Sequence, residues 1–344
     1  MRLTGVMDVF RLDTADPEAL RGCVAIWQAA QAVDDPDGAP MSTRVLRYWF
    51  NRNWTGDPHE TWFIPGSGPG SAVAFYRLGL PDLENLNRAA LHILVHPVHR
   101  RRRLGEALLR HAAARAAEAR RVVLDGETRD GSPGEGFAAW ARAKPGIPAA
   151  LRVLDLGKHP ASSFADLRAA AAGAAAGYSL VSWAGPAPEE YLGQVATAIN
   201  AYADAPQDEG VETGVWDAER VRERGNAAFE AIGMRKYTVV AVRDATGELA
   251  AMTEISVDPE TPQWGHQGLT AVTRPHRGHR LGLLVKLAMM DWLASSEPQL
   301  EWIETGNASG NEHMIAVNEA LGFTVRGGGF HSCELDIAAV LGPS

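Results

Sequence analysis

The chain has 344 residues, more than most single hydrophobic cores hold, so two domains are expected. Apolar residues make up 46% and charged residues 22%, the proportions of an ordinary globular protein. The formal net charge of −9 argues against a general binder of nucleic acid or of anionic membranes, because an acidic surface repels both. Cys23 and Cys333 lie far apart without metal-ligand spacing, which predicts two reduced thiols and no metal site. The N-terminus lacks the apolar stretch of a signal peptide, which predicts a cytoplasmic protein.

The hydrophobic pattern predicts alternating strands and helices along the chain. In the first half it indicates strands over residues 71–79 and 88–95 and a helix over residues 105–120. In the second half it indicates strands over residues 237–244, 248–258, 268–272 and 300–305. Helices are expected over residues 282–294 and 311–321, the latter ended by Gly322. This alternation predicts an α/β or α+β fold, with a mixed central sheet flanked by helices in each half.

Residues 159–177 concentrate Pro, Ser, Ala and Gly, which is typical of a domain boundary. We therefore expect an N-terminal domain over residues 1–160, a linker over residues 161–177 and a C-terminal domain over residues 178–344.

An internal repeat supports this division. The segment VHPVHRRRRLG at residues 95–105 recurs as VTRPHRGHRLG at residues 272–282, a shift of 177 residues with six of eleven positions identical. At the same shift Glu127-Thr128 falls on Glu304-Thr305. The sequence thus predicts a duplication.

The repeated segment has a physical use where a strand ends and a helix begins. Unpaired N–H groups and the positive end of the helix dipole can bind a pyrophosphate there. Gly282 lets the backbone approach the phosphate closely, and Arg277 and Arg280 can add charge-assisted hydrogen bonds.

These residues resemble the signature of the GNAT acetyltransferases, Arg/Gln-x-x-Gly-x-Gly/Ala after a strand that ends in Val. The second half reads Arg277-Gly-His-Arg-Leu-Gly282, and the first reads Arg100-Arg-Arg-Arg-Leu-Gly105. Both carry Arg at the first Gly of the pattern, as Arg280 and Arg103. A second GNAT segment is matched by NASGNEHMIAVNEALGF at residues 307–323. The layout is similar to actinobacterial tandem GNAT proteins, the group that includes mycothiol synthase.

The resemblance implies transfer of an acetyl group from acetyl-CoA to an amine in two GNAT-like domains. It assigns CoA binding in the C-terminal domain to the end of a strand, the start of a helix and one asparagine: Val272, Arg277, Gly278, His279, Arg280, Leu281, Gly282, Leu283 and Asn311. A second CoA site in the first half would use Val95, Arg100, Arg103 and Gly105.

The resemblance also implies a base on the fourth strand, six residues before the Val. That position holds His266, whose imidazole exchanges its proton near neutral pH. Glu254, on the preceding strand, is the competing base. Asn318 stands where many GNAT enzymes have a tyrosine acid, and an amide cannot protonate a thiolate. Another acid, such as Tyr237, His331 or Cys333, or water itself, would then serve.

Counting at the 177-residue shift makes the first half look degenerate. His266, Asn311 and Asn318 are matched there by Ala89, Gly134 and Ala141. The C-terminal domain is therefore predicted to be catalytic, and the N-terminal one to bind CoA idly, to support the acceptor site or to bind nothing.

The acceptor pocket is expected between the first helices of the second half, where acidic residues lie near an aromatic one. Asp204, Glu212 and Trp216 could hold a cationic amine by ion pairing and cation–π contact. The predicted substrate is a primary amine, as in a small cationic metabolite or an antibiotic-like molecule, and the protein is a monomer or a homodimer. Two alternatives stay open: a CoA-binding sensor without activity, and an acetyltransferase that acts on protein lysines or N-termini.

Overall fold

The computed structural model describes residues 8–54, 56–201 and 206–342. They form two compact units. Unit 1 holds the described residues up to 148, residues 210–212 and those from 328 onward. Unit 2 holds the described residues of 149–209 and 213–327.

Unit 1 is a mixed sheet with helices around it. Its strands are β1 (Phe10–Arg11), β2 (His59–Pro65), β3 (Ala72–Gly79), β4 (Arg88–Val95) and β5 (Val123–Arg129), joined by most of β12 (Thr324–Asp336). Its helices are α1 (Pro17–Asp34), α2 (Thr43–Trp49), α3 (Leu104–Glu118), α4 (Pro133–Trp140) and α11 (Ile337–Leu341).

Unit 2 repeats the plan. Its strands are most of β6 (Lys144–Asp155), β7 (Tyr178–Ala184), β8 (Arg235–Arg243), β9 (Leu249–Val257), β10 (Trp264–Val272) and β11 (Trp302–Ala308). Its helices are α5 (Ala165–Ala174), α6 (Leu192–Asn200), α7 (Ala218–Arg220), α8 (Ala227–Ile232), α9 (Leu281–Ser296) and α10 (Glu312–Ala320), with a π-helical turn at Val221–Asn226 between α7 and α8.

The two strand orders correspond one to one. Unit 1 runs β1-β2-β3-β4-β5-β12, and unit 2 runs β7-β8-β9-β10-β11-β6. In each unit the fourth and fifth strands are parallel, and the other neighbours are antiparallel. A helix makes each parallel crossover, α3 in unit 1 and α9 in unit 2, as parallel neighbours require. The sixth strand of each unit comes from the opposite half of the sequence.

Each sheet buries its core against its crossover helix. In unit 2, α9 is apolar on nearly every side, and Val285, Leu287 and Met289 are at most 1% exposed against β8 and β9. Helix α6 covers the other face of that sheet through Val240 and Met252. The sheet of unit 2 therefore presents two different faces, one to α9 and one to α6.

The predicted fold class, two GNAT-like domains with mixed sheets flanked by helices, is confirmed. The predicted linker, residues 161–177, lies inside unit 2, where Ala161–Phe164 form a 3₁₀ turn and Ala165–Ala174 form α5. Alanine is the best helix former, so this alanine-rich stretch continues as a helix instead of an open connection.

Candidate active site

The parallel strands of unit 2 pair only along their first residues. β10 and β11 are in register from Trp264↔Trp302 to His266↔Glu304, and beyond that pair the two strands separate. A β-bulge in β10 adds to the separation, because the register with β9 shifts between Gln267 and Thr270. The result is an opening between two strands whose backbone groups no longer pair with each other.

A cavity of about 370 Å³ occupies this opening. It begins at the residue that follows the last pair on each strand, Gln267 on β10 and Thr305 on β11. Its lining comes from both strands, α9 and α10: Gln267, Gly268, Leu269, Thr270, Lys286, Thr305, Gly306, Asn307, Ala308, Asn311, Met314 and Asn318. Uncharged amides and hydroxyls dominate, as in a site that holds a ligand by hydrogen bonds.

Asn318 is fully buried in the wall of this cavity. Its Nδ2 donates to Asn307 Oδ1 at 2.9 Å, whereas its Oδ1 is buried without a hydrogen-bond partner. A buried acceptor without a partner costs about 1–3 kcal/mol, so a ligand donor in the cavity would relieve a real penalty. Asn311 lies at the same wall and accepts from Met314 N at 3.4 Å, capping α10.

Lys286 is the charged residue of the lining. Its Nζ donates to Gln267 Oε1 at 2.8 Å and lies 5.2 Å from the centre of the Phe323 ring. The residue is 1% exposed, and burial lowers the pKa of its ammonium to about 7. Sequence reasoning missed it, although a single lysine in the apolar stretch LGLLVKLAMM was a usable signal.

His266 and Glu304 form a pair where the strands separate. His266 Nδ1 lies 3.0 Å from Glu304 Oε1. If Nδ1 carries the proton and donates it to this carboxylate, Nε2 keeps a lone pair and can accept a proton. Because side chains alternate along a strand, His266 and Glu304 point to the face of the sheet that carries α6, opposite to Gln267 and Lys286. The sequence assigned His266 as the base but gave Glu304 no role in the site.

Glu254 lies on the same face as His266 and is tied to a lysine. Its Oε1 is 2.5 Å from Lys236 Nζ, and both side chains are largely buried. A Cβ added at Gly268 would stand 3.6 Å from Glu254 Oε2, so the carboxylate lies beside the wall of the cavity. A carboxylate held by a buried ammonium is a poorer proton acceptor than a histidine held by a carboxylate, so the geometry favours His266 over Glu254.

The start of α9 has the backbone of a phosphate-binding turn. Gly278 and Arg280 both take the left-handed conformation, with φ of 86° and 52°. Arg280 is the N-cap and makes no side-chain cap, so no side chain occupies the first N–H groups of the helix. The departure from the GNAT pattern at Arg280 is therefore accommodated by an arginine that adopts the conformation preferred by glycine.

The other residues assigned to CoA at this turn divide into groups. Arg277 Nε donates to Val272 O at 3.2 Å, which binds the turn back to the strand end. A Cβ at Gly282 would come no closer than 3.5 Å to Val272, so that approach is open. Leu281 and Leu283 are buried in the core of unit 2, which leaves only their backbone for a ligand. His279 Nδ1 lies 3.3 Å from Ala174 O.

Unit 1 reproduces this turn but fills its surroundings. Arg101 and Arg103 have φ of 63° and 62°, and Arg100 Nε donates to Val95 O at 3.2 Å. The guanidinium of Arg100 is bound by both oxygens of Asp34. A Cβ at Gly105 would meet the Phe137 ring at 3.1 Å. The second CoA site that the sequence suggested is therefore crowded at its glycine, and its first arginine is already in an ion pair.

Strand registers correct the residue matches between the two halves. Ala89 pairs with Leu124 in unit 1, whereas His266 pairs with Glu304 in unit 2. The shift is thus 177 residues up to the crossover helix and 180 after it, because unit 2 has three additional residues there. The ungapped match of Glu127 to Glu304 is wrong.

The helices that follow obey the longer shift. Ser132 caps α4 as Asn311 caps α10, and Ala138 O accepts from Ala143 N as Asn318 O accepts from Phe323 N. The counterparts of Asn311 and Asn318 are therefore Ser132 and Ala138, not Gly134 and Ala141.

The residues predicted to bind the acceptor are not brought together. Asp204 lies outside the described residues. Glu212 belongs to unit 1, where its carboxylate accepts from Asn85 N at 2.8 Å. Trp216 lies in unit 2, with its backbone bound to Asn200 and the Arg220 guanidinium 4.5 Å from its ring centre. Of the described residues, only Trp216 stays in the second unit, as a candidate wall of an acceptor pocket.

The alternative acids suggested by the sequence lie elsewhere. Tyr237 donates to Glu297 at 2.7 Å, and burial together with that carboxylate raises the pKa of its phenol to about 12. His331 and Cys333 lie on the part of β12 that belongs to unit 1. None of the three lines the cavity of unit 2.

Comparisons with known proteins agree with this architecture. The model of the acetyltransferase (GNAT) family matches residues 26–132. A tandem GNAT protein from the clavulanic acid biosynthesis pathway, in a form without acetyl-CoA, superposes with a TM-score of 0.81 and 28% identity, over 98% of this chain and 99% of that one. The chain is a tandem GNAT protein. Such proteins are acyltransferases, and acetyl transfer is the reaction of the family.

More distant structures share the fold of this tandem GNAT protein. A GCN5-related N-acetyltransferase from Sphaerobacter thermophilus has a TM-score of 0.64 at 15% identity, over 96% of this chain and 95% of that one. An N-myristoyltransferase from Saccharomyces cerevisiae has a TM-score of 0.59 at 12% identity, over 98% and 81%. The search of curated proteins gave no match. In the described part of the tandem GNAT protein, the helices are too short or too polar to cross a bilayer.

Proposed function

We propose that unit 2 transfers the acetyl group of acetyl-CoA to a primary amine, by direct attack with both substrates bound. The observation that carries this proposal is the opening between β10 and β11. It has a cavity on one side and the His266–Glu304 pair at the point where the strands separate.

The residues around the opening suit a CoA thioester. The start of α9 offers N–H groups without a side-chain cap, and Arg277 and Arg280 add positive charge for the pyrophosphate. Asn318 Oδ1, buried without a partner, suits an amide N–H of the pantetheine arm. Bound acetyl-CoA would supply the activated acetyl group.

The side chains of unit 2 then account for the proton chemistry. An alkyl amine with a pKa near 10 is neutral in only about one molecule per thousand at pH 7, so a base near the amine raises the rate. His266 Nε2 takes a proton from the amine nitrogen. Glu304 holds the ring and stabilises the imidazolium that forms. Backbone N–H groups of the bulge at Gly268 and Leu269 can polarise the thioester carbonyl.

A small amine is the proposed acceptor. The tandem GNAT relative at 28% identity belongs to an antibiotic biosynthesis pathway, which supports a small-molecule acceptor over a protein. Glu254 and Glu304 on the α6 face add negative charge that would attract an ammonium group to this side of the sheet.

Release of free thiol from acetyl-CoA across a panel of primary amines tests the proposal. We expect turnover with at least one small cationic amine, and its loss in His266→Ala. Exposed His313, on α10 of the same unit, supplies a matched control, and His313→Ala should keep the activity. CoA binding without thiol release across the panel would contradict the proposal in favour of a sensor. Acetylation of protein lysines or N-termini alone would contradict the small-molecule acceptor.

A further inference from the structure

The cavity of unit 2 contains one ionisable side chain. Its described lining consists of amides, hydroxyls, glycines and apolar groups, together with Lys286. A thioester that reacts in this cavity releases a thiolate, which an enclosed site of low polarity stabilises poorly. The amide of Asn318 has no proton to give at neutral pH.

We propose that Lys286 is a catalytic residue of unit 2, the proton donor to the sulfur that leaves during acyl transfer. This inference rests on the proposed function. As the amine nitrogen bonds to the carbonyl carbon, the carbon–sulfur bond breaks and its electron pair goes to sulfur. The ammonium of Lys286 gives that sulfur a proton, and the products are the amide, free CoA and a neutral lysine. His266, which took the proton of the amine, returns it to Lys286 through solvent, so the protons balance.

The position of Lys286 suits this role. It extends from the middle of α9 into the cavity and is held there by Gln267 Oε1 at 2.8 Å. His266 faces the opposite side of the sheet at the same opening, so base and acid approach from two sides. The contacts recorded for Lys286, with Gln267 and the Phe323 ring, contain no carboxylate that would fix it as an ion pair.

The proton affinity of Lys286 also suits the role. Burial lowers the pKa of the ammonium to about 7, below the value of about 8.5 for an ordinary thiol. The transfer from nitrogen to sulfur is therefore downhill. The groups that face Lys286 are uncharged: Gln267 on β10, Thr305 on β11, Met314 and Asn318 on α10, and Phe323 before β12. On β9, Thr253 accepts from Gln267 Nε2 and is also uncharged.

Substitution by leucine isolates the contribution of the proton donor. Leu109 occupies the corresponding position of α3 in unit 1, buried to 3% exposure, so a leucine fits this site in the fold. With acetyl-CoA, Lys286→Leu should lower kcat by about 10²-fold. With the acetyl ester of an aromatic thiol, whose anion needs no proton, the same variant should lose less than about threefold. A merely structural role would lower both rates equally, and that result would overturn the proposal.

A binding measurement keeps the test independent of turnover. The near-ultraviolet absorbance of the thiolate reports the pKa of the thiol of bound CoA. We expect Lys286 to lower that pKa in the wild-type complex and Lys286→Leu to restore it. In wild-type protein with lysine labelled by ¹⁵N, the Lys286 signal should titrate near neutral pH and shift when CoA binds. Acyl transfer that fails while both titrations behave as expected would refute the proposed acceptor chemistry but support the role of Lys286. A thiol pKa unaffected by Lys286 would overturn that role.

Discussion

The two units share a backbone and differ in what fills it. At the point where the parallel strands separate, unit 2 has His266, Gln267 and Glu304, and the corresponding residues of unit 1 are Ala89, Ala90 and Leu124. On the crossover helix, Lys286 corresponds to Leu109. Each polar group that could act on a thioester in unit 2 thus has an apolar counterpart in unit 1.

The opposite face of unit 1 is filled as well. Trp27 and Trp49 pack against His92 of β4, with ring centres 5.7 and 5.1 Å from the imidazole. Burial lowers the pKa of His92 to about 4, so this histidine stays neutral as part of a core. The comparison teaches that one fold can keep the turn that binds phosphate after losing the polar residues of the reaction.

The largest effect is expected at the base. His266→Ala should lower kcat by about 10²–10³-fold near neutral pH and leave the affinity for CoA nearly unchanged, because the imidazole acts on the amine. Steady-state rates as a function of pH, with calorimetric CoA binding, measure both quantities. An unchanged pH–rate profile would refute the role of His266 and transfer it to Glu254.

The sequence predicted the units well and the site in part. Gly282, Asn311 and Asn318 could be placed because they belong to short local patterns. Lys286 and Glu304 reach the site through a helix crossover and a strand pairing, which a local pattern does not report. The family model itself matches residues 26–132, in the unit that lacks the polar set, because such a match follows the residues that shape the fold.

The errors have the same physical origin. An ungapped count cannot detect three residues inserted between α9 and β11, so Asn311 and Asn318 were matched to the wrong residues of the first half. Glu212 was grouped with Trp216 because the two are near in sequence, yet three residues around Glu212 belong to unit 1, where Asn85 binds them.

The next effect separates the two phosphate-binding turns. Arg277→Ala should weaken CoA binding by about 10- to 100-fold, the value of a charge-assisted hydrogen bond. Arg100→Ala is the matched control and should change the affinity little, because Asp34 already binds its guanidinium. Titration calorimetry measures both. Equal losses would mean that unit 1 is also a CoA site.

Lys286 should also give unit 2 a pH dependence that unit 1 lacks. Its pKa is about 7 when folded and near 10.4 in an unfolded chain, so between these values the unfolded state binds more protons. The free energy of unfolding should therefore rise with pH from 7 to 10, by at most about 1.4 kcal/mol per pH unit. Thermal unfolding of wild-type protein and Lys286→Leu measures the rise, which should be absent from the variant. A parallel rise in both would contradict a buried lysine that loses its charge.

The smallest effect should be the same in both units. Arg280→Gly and Arg103→Gly each remove a side chain from a left-handed backbone position, which should stabilise the CoA-free protein by about 1 kcal/mol. Denaturant unfolding measures the gain. Destabilisation by only one of the two changes would show that the turns are not equivalent.

A crystal structure with bound acetyl-CoA tests the central claim most directly, because it shows which unit the thioester enters. We expect one molecule per chain, with its pyrophosphate at the start of α9 and its thioester in the opening between β10 and β11, near His266 and Lys286. A molecule bound at the start of α3 in unit 1, with the opening of unit 2 empty, would contradict the claim.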